Sequence, residues 1–77
     1  MVIMITRDGK VCLSFDRVQP EQLPSLIHER LTSGAERKVY LKVDAMAKYR
    51  VVIGVLAEVR AAGVDKVAFM VEQRPSA

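Results

Sequence analysis

The chain opens with two short segments whose hydrophobic patterns predict a β-hairpin. Residues 2–6 form an apolar run, and in residues 11–15 apolar and polar side chains alternate. The connection between them carries Asp8-Gly9, and this dipeptide between two strand-like segments is a strong hairpin signal. We predict a type I′ turn here, a turn that requires positive φ at both Asp8 and Gly9.

A helical pattern follows the hairpin. Four apolar residues recur at i, i+3, i+4 and i+8 and line one face of a helix: Leu23, Leu26, Ile27 and Leu31. Pro20 and Pro24 fit only the first turn of a helix, where backbone N–H groups have no intrahelical acceptor. The pattern leaves two starting points, one near each proline, while Gly34 is suited to end the helix in a left-handed conformation.

The second half of the chain predicts a strand, a helix and another strand. Residues 38–43 alternate with period 2, so one face of this strand is apolar: Val39, Leu41 and Val43. A helix is expected over residues 47–62, with Val51 and Val55 beside its main stripe. That core-facing stripe is Tyr49, Val52, Ile53, Leu56 and Val59. After Gly63, a last strand over residues 64–71 is expected to direct three side chains to the core: Val67, Phe69 and Val71.

The resulting order, β-β-α-β-α-β, fixes the fold class. Strand–helix–strand crossovers within one sheet are right-handed in nearly all proteins, so both helices should cover the same face. We expect an α+β fold, a two-layer sandwich of a mixed sheet and two helices. It forms a single domain of residues 1–77 that ends in a flexible tail at 72–77. The other face of the sheet stays open, and its expected side chains are Cys12, Ser14, Tyr40, Lys42, Ala68 and Met70.

Composition and charge narrow the classes of function. Of the 77 residues, 51% are apolar and 27% charged, as in ordinary globular domains. The apolar runs fall far short of the roughly 20 residues of a membrane span, and the first residues lack the basic and apolar regions of a signal peptide. The net charge of +3 is spread along the chain, whereas nucleic-acid-binding surfaces carry denser basic patches interleaved with aromatic residues.

The residue types that carry catalysis or metal binding are too few for a site. The chain holds one histidine, His28, and one cysteine, Cys12, whereas a zinc site needs three or four ligands. The four glycines are isolated, so no phosphate-binding loop of the G-x-G-x-x-G or G-x-x-x-x-G-K-[ST] type is present. We therefore predict a protein that is not an enzyme and has neither a metal nor a cofactor.

Several segments, taken in their order, resemble the ExbD/TolR family of the bacterial cell envelope. The segments are Asp8-Gly9-Lys10-Val11, Leu23 with Leu26-Ile27, Val39-Tyr40-Leu41-Lys42-Val43-Asp44, Tyr49, and Ala62-Gly63-Val64-Asp65-Lys66-Val67-Ala68-Phe69. They match a family pattern of a strand that ends in Asp, a later aromatic residue, a helix, and an Ala-Gly turn into a final strand. The resemblance covers nearly the whole chain and departs from the pattern at Arg50, where a small residue commonly follows the aromatic one.

The resemblance implies the periplasmic domain of a single-pass inner-membrane protein. Family members are anchored by an N-terminal helix with an aspartate on the proton pathway, and Asp44 is not the equivalent of that aspartate. With an ExbB/TolQ-like channel subunit they couple the proton motive force to TonB-dependent uptake or to the Tol envelope system. The resemblance further implies a homodimer, and contact with a TonB- or TolA-like transducer or with peptidoglycan.

We expect partner contacts through five residues: Tyr40, Lys42, Asp44, Tyr49 and Met70. Tyr40 and Met70 belong to the expected open face, where exposed apolar side chains can mark an interface. Asp44 has a structural alternative, the capping of the second helix or of the turn before it, and Tyr49 can instead begin the core stripe. A sheet edge formed by the last strand or the hairpin would also accept an extended peptide or a second protomer.

Two other classes of function stay open at this point. A cytosolic nucleic-acid-binding α/β module is compatible with a pI near 9.4. However, the G-x-x-G clamp is absent, and Tyr40 is the only stacking ring expected on the open face. A small enzyme subunit or ligand-sensing domain would need a cluster of polar residues that the sequence does not show.

Overall fold

The computed structural model describes residues 1–72 as five strands, two α-helices and one 3-10 turn. The strands are β1 (Val2–Ile5), β2 (Val11–Leu13), β3 (Asp16–Val18), β4 (Val39–Asp44) and β5 (Val67–Glu72). The helices are α1 (Leu23–Thr32), which directly follows the 3-10 turn Pro20–Gln22, and α2 (Tyr49–Ala61). Of the expected flexible tail, Glu72 is the last residue of β5, and residues 73–77 lie outside the described part.

One mixed sheet holds all five strands in the order β3-β2-β1-β4-β5. The first three strands form an antiparallel meander, while β4 runs parallel to β1 and β5 runs parallel to β4. The buried residues of both helices join those of the sheet in one cluster, so the helices share one face. The structure thus confirms the predicted two-layer α+β sandwich with a mixed sheet and adds one strand, β3, to the expected order.

The first hairpin forms where the sequence predicts it, but its turn is of another kind. Gly9 has a φ of 83°, whereas Asp8 does not adopt positive φ, so the predicted type I′ turn is wrong. The Gly9 N–H donates to the Thr6 carbonyl at 3.1 Å, and the Thr6 N–H donates to the Lys10 carbonyl at 3.0 Å. The loop therefore closes with a single residue in the left-handed region, and glycine occupies that position at little cost.

The strand that the hydrophobic pattern missed is β3. Its three residues follow a turn in which Ser14 has a φ of 59°. Ser14 therefore lies in this turn, and its predicted position in a strand on the open face is wrong. Arg30 of α1 supports the turn, because its guanidinium donates to the Ser14 hydroxyl at 3.5 Å and lies 3.8 Å from the Asp16 carboxylate. A three-residue, mostly charged strand is too short to produce a recognisable period.

Both helices end at the predicted glycines. Pro20 opens the 3-10 turn and Pro24 lies in the first turn of α1, so the two alternative starting points are consecutive turns of one helical segment. Gly34 and Gly63 follow the ends of α1 and α2 with φ of 96° and 88°. The left-handed conformation stops each helix and turns the chain toward the next strand.

The core lies between the helices and the middle of the sheet. Its buried side chains come from β1, β2, β4, both helices and the loop before β5: Ile3, Ile5, Val11, Leu13, Leu23, Ile27, Val39, Leu41, Val43, Val55, Val59 and Val64. The two edge strands contribute no fully buried side chain. The centre of the core therefore rests on β1 and β4.

The face that α2 buries differs from the predicted stripe. Val55 and Val59 are fully buried and Val51 packs against the core, whereas Tyr49 is 77% exposed and Ile53 is 46% exposed. The predicted core positions of Tyr49 and Ile53 are therefore wrong. The helix is apolar over a wide sector, and the periodicity alone does not say which part of that sector meets the sheet.

Phe69 and Val71 of β5 also depart from the prediction. They pair with Leu41 and Val43 of β4 and so project on the helix side, as expected. They nevertheless stay 52% and 65% exposed, because no described helix extends over this strand. Their predicted face is confirmed, and their predicted burial is wrong.

Candidate partner-binding surface

Four of the five predicted site residues lie on the open face of the sheet: Tyr40, Lys42, Met70 and, at the end of β4, Asp44. Lys42 and Met70 are direct neighbours across β4 and β5, and Tyr40 lies two residues before Lys42 on the same face. Tyr40 is 36% exposed and Met70 46% exposed. Met4 of β1, which pairs with Lys42 from the other side, extends this surface. The sequence did not indicate Met4, because Val2–Ile5 is apolar throughout and shows no alternation.

Charged groups border the apolar part of the open face. The Lys38 ammonium lies 5.0 Å from the centroid of the Tyr40 ring, within cation–π distance. The Lys42 ammonium lies 3.9 Å from a Glu72 carboxylate oxygen, and a pair this open to solvent contributes at most about 1 kcal/mol. A face that mixes exposed apolar groups with weakly paired charges is suited to reversible contact with another protein.

Asp44 ends β4 and has a clear structural role. Its Oδ1 accepts a hydrogen bond of 2.8 Å from the Met46 N–H, and its Oδ2 lies 3.9 Å from Arg7 Nε. The expected capping of the turn before α2 is therefore confirmed, whereas the N-cap of α2 itself is Lys48 and has no side-chain cap. The Asp44 side chain is only 11% exposed, so a partner contact there, which stays a prediction, would be small.

Tyr49 lies apart from the other predicted site residues. It is the first residue of α2 and belongs to the helix layer, while Tyr40, Lys42 and Met70 lie on the opposite face of the sheet. The five residues therefore do not form one site. The structure places them on two surfaces, one on each side of the sheet.

The edge formed by β5 exposes unpaired backbone groups. The Lys66 carbonyl accepts from the Val39 N–H, and the Glu72 carbonyl accepts from the Ala45 N–H. In a parallel ladder the residues that bond the neighbouring strand alternate with residues that face away from it. The N–H and C=O groups of Val67, Phe69 and Val71 therefore point outward, and no other strand within residues 1–72 pairs with them.

The opposite edge of the sheet is protected by its sequence. Strand β3 has three residues, two of which are charged and exposed, and Arg30 lies close to Asp16. Short, charged edge strands discourage pairing with another chain. Strand β5 is twice as long, and its exposed side chains include Phe69, Met70 and Val71. Of the two edges, β5 is the less protected one.

A groove between the helices is one concave feature of the described surface. It is shallow and is lined by Pro24, Ser25, His28, Glu29, Thr32, Ala61 and Ala62. Residues 1–72 contain no cluster of three or more His, Cys, Asp or Glu side chains that could hold a metal ion. Neither helix in this part of the chain has the length and hydrophobicity needed to cross a bilayer.

Comparison with known proteins places the fold in a family. The family model described as biopolymer transport protein ExbD/TolR matches residues 1–74. The match includes every strand and helix of the structure, together with the open face and the β5 edge. None of the curated proteins compared with the chain matches it significantly. The chain therefore belongs to the ExbD/TolR family of biopolymer transport proteins, the family that its sequence resembles.

Proposed function

We propose that this chain is a non-catalytic, partner-binding domain in the periplasm, part of a membrane-anchored subunit that uses the proton motive force. ExbD/TolR proteins are subunits of such energy-transduction complexes, together with ExbB/TolQ-type and TonB/TolA-type partners. The observation that carries the proposal for this domain is the uncovered β5 edge. The domain associates with other chains by adding a strand to that edge.

Strand addition at β5 would satisfy three residues whose backbone groups face outward. Each backbone hydrogen bond gained in this way contributes about 0.5–1.5 kcal/mol net, and the side chains of alternate residues supply specificity. Met70, with Tyr40 and Lys42 beside it, forms the adjoining contact surface on the open face. A second copy of the chain can present its own β5 in an antiparallel pair, and an extended transducer segment can bind in the same manner.

The test on the open face is the substitution Met70→Asp. We expect it to weaken dimerisation at least tenfold, because in an antiparallel β5 pair it places a charge in an apolar seam beside its symmetry mate. Sedimentation equilibrium over a range of concentrations measures the dissociation constant. Phe15→Asp is the matched control, because Phe15 is fully exposed in the turn between β2 and β3, at the opposite end of the sheet from β5.

Two outcomes would contradict the proposal. The first is a Met70→Asp protein that dimerises like the wild type and like Phe15→Asp. The second is a wild-type chain that stays monomeric and binds no periplasmic segment of a TonB/TolA-type protein. Circular dichroism spectra and melting curves of all variants check that the fold itself is unchanged.

A further inference from the structure

The outward backbone groups of β5 are arranged symmetrically about Phe69. Val67, Phe69 and Val71 face away from β4, with one inward residue between each of them and the next. In an antiparallel pair of strands, two opposite residues whose backbone groups face each other exchange two hydrogen bonds. A second β5 that is centred on Phe69 therefore forms three such pairs of two bonds each.

A shift of this register loses hydrogen bonds. An antiparallel partner can slide only in steps of two residues, because a step of one sets outward groups against groups that are already bonded to β4. A slide of two residues in either direction leaves two outward pairs within β5 instead of three. The backbone of β5 therefore favours the register centred on Phe69.

On the helix side of the sheet, this register brings apolar side chains together. Phe69 lies beside Phe69 of the second copy, and Val67 lies opposite Val71 of the second copy. Phe69 and Val71 are each more than half exposed in the single chain, so the pairing removes apolar surface from water. Aromatic and β-branched cross-strand pairs are among those that stabilise a sheet.

On the open face, the same register matches side chains by size and by charge. Ala68 lies opposite Met70 of the second copy, so a small side chain meets a long one. If the pairing continues to the residue before β5, Lys66 lies opposite Glu72 of the second copy. These are non-hydrogen-bonded positions of the ladder, where opposite side chains lie closest. The two-fold axis repeats each contact, so the ion pair occurs twice in a dimer.

Lys66 and Glu72 are both available for this contact. Lys66 is exposed and makes no ion pair within residues 1–72. Glu72 is exposed, and its only ion-pair contact in that range is the Lys42 ammonium at 3.9 Å, which leaves its carboxylate able to accept a second cation. A slide of two residues sets Lys66 opposite Met70, or Ala68 opposite Glu72, and loses both intermolecular ion pairs.

We infer that Lys66 and Glu72 select a second copy of this chain, in the register centred on Phe69, as the partner of the β5 edge. This inference rests on the proposed function and names which chain occupies the edge. An extended segment of another protein can form the same backbone bonds. Both ion pairs, however, require a lysine and a glutamate six residues apart on the added strand, and a second copy supplies them by symmetry.

The experiment reverses the two charges and mixes the variants at low ionic strength, where surface charges are least screened. Lys66→Glu and Glu72→Lys should each weaken self-association at least tenfold, because each homodimer then contains two like-charged pairs. In a one-to-one mixture, both pairs of the mixed dimer again join opposite charges. Native mass spectrometry with one variant isotope-labelled measures the dimers, and we expect the mixed dimer to exceed each homodimer at least tenfold.

Glu21→Lys is the matched control. Glu21 is exposed in the 3-10 turn that follows β3, at the other edge of the sheet, and its reversal changes the net charge as Glu72→Lys does. The variant should self-associate like the wild type. Its mixture with Lys66→Glu should contain no more mixed dimer than Glu21→Lys homodimer, because one of the two pairs in the mixed dimer is like-charged.

The remaining outcomes overturn the inference. If Met70→Asp weakens dimerisation while Lys66→Glu and Glu72→Lys show no preference for each other, the proposed function stands and this register is wrong. A wild-type chain that stays monomeric, but binds a TonB/TolA-type segment and loses that binding in Met70→Asp, also keeps the proposed function and excludes a second copy. If Met70→Asp affects neither kind of association, the proposed function fails as well.

Discussion

Thr6 controls the first turn through a single hydroxyl group. It donates to the Asp8 carboxylate at 2.7 Å and accepts from the Lys10 N–H at 3.0 Å, so one side chain holds both ends of the loop. The hydrogen bond from Thr6, and after it the backbone bond and Lys10, lower the pKa of Asp8 below its ordinary value. A depressed folded pKa stabilises the fold above the ordinary carboxyl pKa, and this contribution is lost as the pH falls through the folded pKa.

The substitution Thr6→Val should raise the pKa of Asp8 toward its ordinary value. Valine keeps the β-branched shape but cannot donate the hydrogen bond that is the largest cause of the shift. An NMR titration of the Asp8 carboxyl carbon measures the change. Thr32→Val, which removes a hydroxyl bonded to helix carbonyls in α1, should leave that titration as it is. An unmoved Asp8 pKa in Thr6→Val would assign the shift to Lys10 and the backbone.

The two helices show which features of an element its sequence predicts. The spacing of apolar residues and the glycines after the helix ends predicted most helix boundaries to within two residues. These signals are local in the sequence and do not depend on tertiary packing. The face that α2 buries was not predictable, because apolar residues occupy more than half of its circumference and tertiary packing chooses among them. For the same reason Tyr49 and Ile53 were assigned to the core, although both are exposed.

The candidate site likewise has features that the local sequence predicts and features that depend on tertiary packing. Tyr40, Lys42 and Met70 were placed on one face because alternation within a strand has a strict period of two. The exposure of Phe69 and Val71 was not predicted, since it depends on how many strands two helices can cover. The free edge of β5 was expected only as one of two alternatives, because strand order follows from the packing of the whole chain.

One glycine inside α2 and one just after it should respond to alanine with opposite signs. Gly63 has a φ of 88° after the helix end, so Gly63→Ala should destabilise the fold by roughly 1–2 kcal/mol. Gly54 lies inside the helix with open space where a Cβ would be, so Gly54→Ala should stabilise it by roughly 0.5–1 kcal/mol. Urea unfolding of both variants measures the difference. A destabilising Gly54→Ala would mean that the space beside the helix is occupied.

At the scale of the whole molecule, the fold is unequal at its two ends. The β3 end is short, charged and covered by Arg30, while the β5 end is long, apolar on both faces and open along its backbone. Two helices do not cover five strands, and the uncovered strand is β5, the last strand along the chain. The same shortage of helix leaves Phe69 and Val71 exposed beside the free edge.

The substitution Val71→Pro tests the backbone of that edge. It removes one outward N–H and leaves the ladder to β4 intact, because the bonds to β4 come from the residues on either side. We expect dimerisation to weaken at least tenfold relative to Val71→Ala, which shortens the side chain but keeps the N–H. Sedimentation equilibrium compares the two proteins. Equal dimerisation would show that the chains meet through side chains alone.

The inequality of the two sheet edges also sets a limit to growth. A fibre requires every unit to offer two complementary ends, so that each addition leaves a new end for the next. In residues 1–72 only one edge is fit to pair, since β3 repels the approach of another strand. Once two β5 strands have paired, each molecule exposes only its β3 edge, to which a third molecule does not add. The protected β3 edge would therefore limit assembly through β5 to a dimer.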